Sequence, residues 1–166
     1  MAAAHTSNPP LKIAPVRLRE LAQLHRMFER AVRIHFAYFP ERVQRQVIAE
    51  HSLIQLLKAY ADSRRVVLVA RRRGQLAGYC VAAVPPNGPA QLFWLYVDPV
   101  HRGTNTGLSL LSRAVKEMER LGAQTIFLAT HDHRRYYERQ GFKFDHRESQ
   151  HGVDMDIMSF SIRRPA

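Results

Sequence analysis

Leu92-Phe93-Trp94-Leu95-Tyr96-Val97-Asp98-Pro99-Val100-His101-Arg102-Gly103-Thr104-Asn105-Thr106-Gly107-Leu108 is the stretch on which the fold turns. It reads as an apolar strand, a break marked by proline, a glycine-bearing loop and the opening of an amphipathic helix. A strand that leads through such a loop into a helix aims several backbone N–H groups, and the positive end of the helix dipole, at one point. Phosphate oxygens suit that point, so a phosphorylated ligand is the first expectation.

Outward from this stretch the pattern is regular. Leu108, Leu110, Leu111, Ala114, Val115, Met118 and Leu121 continue the helix, and Gly122 closes it. Thr125–Ala129 is strand-like, His131–Gln140 suits a short helix ended by Gly141, and Phe142–Phe144 opens another strand. Val153–Ile162 alternates as the last one. Upstream, Val66–Ala70 is a buried strand and Leu76–Val84 returns from it through the turn Arg73-Gly74-Gln75. Pro85–Pro89 is a rigid loop into the strand Gln91–Val97. Leu11–Ala14, stopped by Pro15, suits an edge strand. Leu18, Leu21, Leu24, Phe28, Ala31, Val32 and Phe36 form one helical face. After the aromatic break at His35–Pro40, a second helical pattern runs from Val43 to Tyr60 with a kink near His51-Ser52. The predicted order is β-α-α-β-β-β-α-β-α-β-β: an antiparallel meander followed by a β-α-β crossover, which makes its two strands parallel.

At 166 residues the chain holds one domain with a proper core. Residues 1–10 read as a disordered polar tail, and 11–162 as the domain. The longest apolar runs fall far short of a membrane span. Cys80 is the single cysteine, so there is no disulfide framework, and a reducing cytoplasm is the simplest location. Net charge is +11, from 25 Lys+Arg, 21 of them arginine, against 14 Asp+Glu. Such a field attracts anionic ligands and partners.

The element order, with Arg-Gly-x-x-x-Gly after the fourth strand and Tyr-Tyr-Glu-Arg-Gln-Gly-Phe before the sixth, resembles the GNAT superfamily of acyl-CoA N-acyltransferases. The resemblance spans roughly residues 11–162 and is most specific in 92–121 and 125–144. It implies a single α/β (α+β) domain: a mixed, mostly antiparallel, twisted sheet of six to seven strands, flanked by about four helices, with the fourth and fifth strands splayed. It also implies acetyl-CoA as co-substrate, no metal, and acetyl transfer to a primary amine by direct attack in a ternary complex. Arg102, Gly103, Thr104, Asn105, Thr106 and Gly107 take the places of the loop that holds the pyrophosphate. Arg102 and Gly107 match the family's motif, while Asn105 stands where glycine is common; asparagine tolerates positive φ best among the other residues. Thr130 and His133 depart from the front half of the second motif.

By the same resemblance the backbones of Leu95 and Val97 bond the acyl-pantetheine arm as an added strand would. Trp94 and Tyr96 lie on the opposite strand face. Tyr136 is carried over as a coenzyme contact, and Tyr137 takes the place of the tyrosine that protonates the departing thiolate, a role a phenol suits. No carboxylate or histidine stands within Gln91–Val97 to act as base. His131, close to Tyr137 in sequence, has a suitable pKa for it, with a water chain as the alternative; Asp98 reads as a loop cap. His131 and His133 form a His-x-His pair, without a third ligand at a convincing interval for zinc. In the family the acceptor site forms from the segments that are here His35–Pro40 and Pro85–Ala90, with Phe36, Tyr38 and Phe39 available to shape a pocket. The positive field favours a small non-cationic amine or an acidic protein terminus and repels polyamines.

Two other functions compete. One is a catalytically silent fold of this class that binds coenzyme. The other, less favoured, is a nucleic-acid-associated basic protein using Arg64-Arg65, Arg71-Arg72-Arg73, Arg134-Arg135 and Arg163-Arg164. Many relatives form homodimers, but no patch in the sequence decides the matter here.

Overall fold

A computed structural model describes residues 10–162. The expected tail up to Asn8-Pro9, and the pair Arg163-Arg164, lie outside the described residues. Seven strands form one sheet in the order β1-β2-β3-β4-β5-β7-β6. They are β1 Lys12–Pro15, β2 Arg65–Arg72, β3 Gln75–Ala83, β4 Ala90–Val97, β5 Thr125–Thr130, β6 Lys143–Gln150 and β7 Val153–Ser161. The α-helices are α1 Leu21–His35, α2 Glu41–Glu50, α3 Leu53–Ala61, α4 Thr106–Arg120 and α5 Arg134–Arg139. The kink read at His51-Ser52 is a complete break, so that pattern forms the two helices α2 and α3. No described helix is long and apolar enough to cross a membrane.

Two apolar cores lie on opposite faces of the sheet. On the first, here the α4 face, Leu110, Leu111, Ala114 and Met118 pack on Leu68, Cys80, Ala82 and Leu92, and on Ile126, Leu128 and Met158. On the second, the α1 face, Leu21, Leu24, Phe28, Ala31 and Val32 cover Val67, Val69, Tyr79, Val81 and Tyr96. These are the helical stripe read from the sequence, except that Leu18 lies in a preceding 3-10 turn and is exposed. The second core draws no residue from β5, β6 or β7. The α1 face of the sheet is therefore open beyond β4.

The joint between β2 and α1 is electrostatic. Arg71, only 7% exposed in its side chain, faces Glu20 at 13%. Its Nε donates to Glu20 Oε1 at 2.7 Å, its Nη2 donates to Oε2, and Glu20 also accepts from the Arg17 N–H at 2.7 Å. The hydrogen bond from Arg71, foremost, holds the Glu20 carboxyl below the usual carboxylate range. A carboxyl whose folded pKa is depressed contributes stability above its unfolded value, and that contribution fades as pH falls through the folded one. Glu20→Gln should cost about 3 kcal/mol at neutral pH by leaving the guanidinium uncompensated. Urea unfolding from pH 7 down to 3 should bring the variant and the parent together at the acid end, and parallel curves would refute the assignment.

Candidate active site

β4 and β5 are parallel and touch at two rungs only, Ala90↔Ile126 and Gln91↔Phe127. Beyond these they part. The Asp98 N–H donates to the Ala77 carbonyl on β3 at 2.9 Å. By alternation along the strand, the N–H and C=O groups of Val97 and Leu95 then face the gap, with no β5 partner. A missing strand is the shape that this edge presents.

The side-chain phase of β4 is set by a bulge. Val81 pairs with Trp94 but Ala82 pairs with Leu92, so Phe93 is an extra residue. The bulge turns Leu95 and Val97 to the α4 face, where both pack against the first core. Trp94 and Tyr96 turn to the α1 face, with Phe28 and Phe36 beside Trp94 at ring distances of 4.6 and 5.2 Å.

The loop after β4 is a built anion cradle. Asp98 caps its 3-10 turn by accepting from the Val100 N–H at 3.2 Å, and pairs with Arg30 at 3.1 Å. Gly103 has φ +72° and Asn105 has φ +57°, the left-handed conformation that asparagine was expected to tolerate. The first bond of α4 runs from the Ser109 N–H to the Asn105 carbonyl. The N–H groups of Thr106, Gly107 and Leu108 thus have no carbonyl within the helix. Arg72, buried beneath the loop, holds it by donating to the Thr104 carbonyl at 3.0 Å. Thr104 and Thr106 join through their hydroxyls at 2.9 Å.

Two observations describe the space beside this cradle. A Cβ on Gly107 would lie 3.1 Å from the Tyr136 hydroxyl and 3.5 Å from Val97, so glycine keeps a narrow channel open there. The Tyr136 hydroxyl itself is buried without a hydrogen-bond partner. Tyr136 and Tyr137, on α5, meet edge to face with ring centroids 5.1 Å apart. Tyr137 is buried in the first core against Phe142, and burial, foremost, drives its phenol pKa well up. It is a phenol, not a phenolate, at any physiological pH. Thr130, in the departing motif position, accepts from the His133 N–H at 3.1 Å and so starts the turn into α5.

Arg102 lies across the top of the gap. Its Nε donates to the Val97 carbonyl at 3.1 Å, its Nη2 donates to His35 Nε2 at 3.3 Å, and its guanidinium lies 5.8 Å from the centre of the Tyr96 ring. A guanidinium only donates, so His35 Nε2 carries a lone pair. Burial first, then the charges of Arg102 and His133, lower the His35 pKa. His35 opens the expected acceptor segment, but its contact with Arg102 has no local sequence signal because the two lie 67 residues apart.

The α1 face holds the second half of the site. A cavity of about 320 Å³ opens where the strands part, lined by Leu92 and Leu128 at the first unpaired rung and by Phe127, Ala129, Ile157 and Glu148. Gln91, Gln150 and Pro89 complete its wall. His131 follows Ala129 on this face of the β5 edge. Its ring stacks on Tyr38 at 4.3 Å, and its Nδ1 lies 3.0 Å from the Asp154 carbonyl. A carbonyl only accepts, so Nδ1 bears the hydrogen and Nε2 of the neutral ring keeps its lone pair. Phe39 reaches His151, on the β6–β7 turn, edge to face at 6.4 Å. The segment His35–Pro40 thereby reaches the end of β5 and the β6–β7 turn. His133 and Asp132 pair with each other at the surface, and among the described residues no cluster of ligating side chains has the make-up of a metal site.

The basic clusters are largely committed within the fold. Arg71 and Arg72 are buried at the contacts given above, and Arg64 donates to the Val84 carbonyl at 2.6 Å. Arg65 stacks on Phe93 at 5.2 Å, and Arg134 pairs with Glu138 at 2.8 Å while stacking on Phe144 at 4.2 Å.

The Acetyltransferase (GNAT) family model matches residues 24–142, and the chain belongs to that family. An uncharacterized N-acetyltransferase of Mycobacterium tuberculosis is 26% identical over 113 residues, 66% of this chain and 72% of that one. Among solved structures, PaiA N-acetyltransferase from Thermoplasma acidophilum in complex with coenzyme A superposes with a TM-score of 0.77 at 23% identity. That match covers 92% of this chain and 99% of the other. The protein yncA from Salmonella typhimurium, solved with its cofactor acetyl-CoA, gives 0.69 at 20% identity over 95% and 96% of the two chains.

Proposed function

We propose that this chain is an acetyl-CoA-dependent N-acetyltransferase for a primary amine on a small non-cationic molecule or a protein terminus, acting by direct attack in a ternary complex. One observation carries the reading. The anion cradle and Tyr137 lie on the α4 face, the 320 Å³ cavity lies on the α1 face, and the gap between β4 and β5 joins them.

When bound, the coenzyme supplies an acetyl group activated as a thioester. Gly103, Thr104, Asn105, Thr106 and Gly107 would hold its diphosphate with main-chain N–H groups, and Tyr136 would give a further hydroxyl. The Leu95 and Val97 amides stand as fixed donors along the gap, which is where an oxygen gaining charge is best stabilised. Tyr137, kept as a phenol by burial, donates a proton to the leaving sulfur. On the opposite face His131, with its Nε2 lone pair, takes the proton from the incoming ammonium so that a neutral amine attacks.

Acetyl-CoA should raise the melting temperature, and free thiol should then appear with a panel of small amines. Stabilisation without turnover on any amine would replace this reading with a silent coenzyme-binding fold. The net charge of +11 sets a second expectation. Spermidine should show a kcat/KM on the order of tenfold or more below that of a small monoamine, because the field repels polycations. The reverse ranking would overturn the choice of acceptor.

A further inference from the structure

The cavity on the α1 face has an unusual wall for this chain. Among the described residues no lysine or arginine lines it, and the one carboxylate there is Glu148. The Gln150 amide donates to Glu148 Oε1 at 2.6 Å and fixes its direction, while His146 Nε2 lies 3.5 Å from Oε2. The hydrogen bond from Gln150, foremost, keeps the carboxyl ionised. The floor is apolar, through Phe127, Ala129 and Ile157.

Strand register fixes where Glu148 stands relative to the parted strands. Glu148 pairs with Met155 on β7, and Met155 is the rung after the pair Thr130↔Asp156 on β5. His131 is therefore level with Met155 on one side, and Glu148 on the other. Two strand spacings separate them, roughly 9–10 Å. An acceptor whose amine sits beside His131 has its far end at Glu148.

Resting on the transferase reading above, we infer that the acceptor is a primary amine on an apolar body, with an uncharged hydrogen-bond donor at the end remote from the amine and no carboxylate. Glu148 is the residue that selects it. An ionised carboxylate only accepts hydrogen bonds, so a hydroxyl or an amide NH satisfies it, whereas a second ammonium, which would also pair with it, is opposed by the net charge of +11. An acceptor carboxylate would meet like charge, and an apolar end would offer no donor to the carboxylate, whose side chain is 46% exposed at the cavity rim. At about 320 Å³ the cavity is at the small end of ligand pockets and suits a body of about one ring or one amino-acid side chain.

Tyramine, phenethylamine and tyrosine separate these terms, because they share one ring and differ in the remote hydroxyl and the carboxylate. With the parent protein, kcat/KM for tyramine should exceed that for phenethylamine roughly tenfold, mostly through KM, and tyrosine should be poorest. In Glu148→Gln the advantage of tyramine over phenethylamine should fall at least severalfold, whatever the absolute rates. Calorimetric titration of the same amines into the coenzyme A complex reads the ratio without turnover. A ratio unchanged by Glu148→Gln, or tyrosine outrunning tyramine, would overturn the inference and leave the transferase reading standing. A Glu148-dependent binding ratio with no acetyl transfer to any amine would remove the transferase reading instead.

Discussion

Tyr137→Phe should lower acetyl transfer by roughly a hundred- to ten-thousandfold, the range spanned by a positioned general acid, while acetyl-CoA still binds. The substitution is a clean one because the ring, and not the hydroxyl, does the packing: Tyr137 meets Tyr136 and Phe142 edge to face at 5.1 and 5.7 Å. Phenylalanine keeps both contacts. The proton role makes a further demand that packing does not. A thiol of low pKa leaves without being protonated, so an acetyl donor with an aryl thiol leaving group should be used by Tyr137→Phe with much of its deficit repaired. A deficit of equal size on both donors, or a melting temperature that no longer responds to acetyl-CoA, would assign Tyr137 to structure. Tyr136→Phe is the companion variant. It removes a hydroxyl that is buried without a partner beside Gly107, so its loss should appear in coenzyme affinity and not in leaving-group dependence.

The parts of this site that were legible in the sequence are those whose signal is local. The break at Pro99, the glycines at 103 and 107 and the helical stripe from Leu108 onward all lie within thirty residues, and each has its own backbone reason. Asn105 at φ +57° is one such case, because its residue type matches the conformation imposed on it. The phase of β4 was not legible. Every residue from Leu92 to Val97 is apolar, so alternation alone gave no indication that Phe93 is inserted and that Leu95, not Trp94, turns to the α4 face. The stretch from Val43 to Tyr60 read as one kinked helix, since a single non-helical step at His51-Ser52 hardly disturbs the spacing of apolar residues on either side. Glu148 carried no signal at all, and His35 was marked only as the first residue of an acceptor segment. β6 is exposed along seven of its eight residues and reads as a solvated edge, and only the pairing of β7 between β5 and β6 brings Glu148 to the cavity.

The same close fit between β3, β4 and α4 makes Gly78 the most sensitive glycine in the fold. Gly78 pairs with Val97, and a Cβ placed on it would lie 2.5 Å from the Tyr96 carbonyl oxygen, 3.2 Å from Val97 Cα and 3.3 Å from Leu110 Cδ1. The first two atoms are backbone and cannot turn aside, so β4 itself must move. Overpacking of this kind costs about 3 kcal/mol, a fall in melting temperature of roughly 6–12 °C for a domain of this size. What moves is the stretch of β4 that carries the Val97 amide, so Gly78→Ala should weaken coenzyme binding as well as stability. Gly74→Ala is the control: no atom lies within 4 Å of its Cβ, and its φ of +79° costs only about 1–2 kcal/mol of backbone strain. Pairing Gly78→Ala with Leu110→Ala tests which atom resists. If the Leu110 side chain were the obstacle, the double variant would regain stability over Gly78→Ala. Because the obstacle is the Tyr96 carbonyl, the second change should add the cost of a core cavity and leave the protein weaker still.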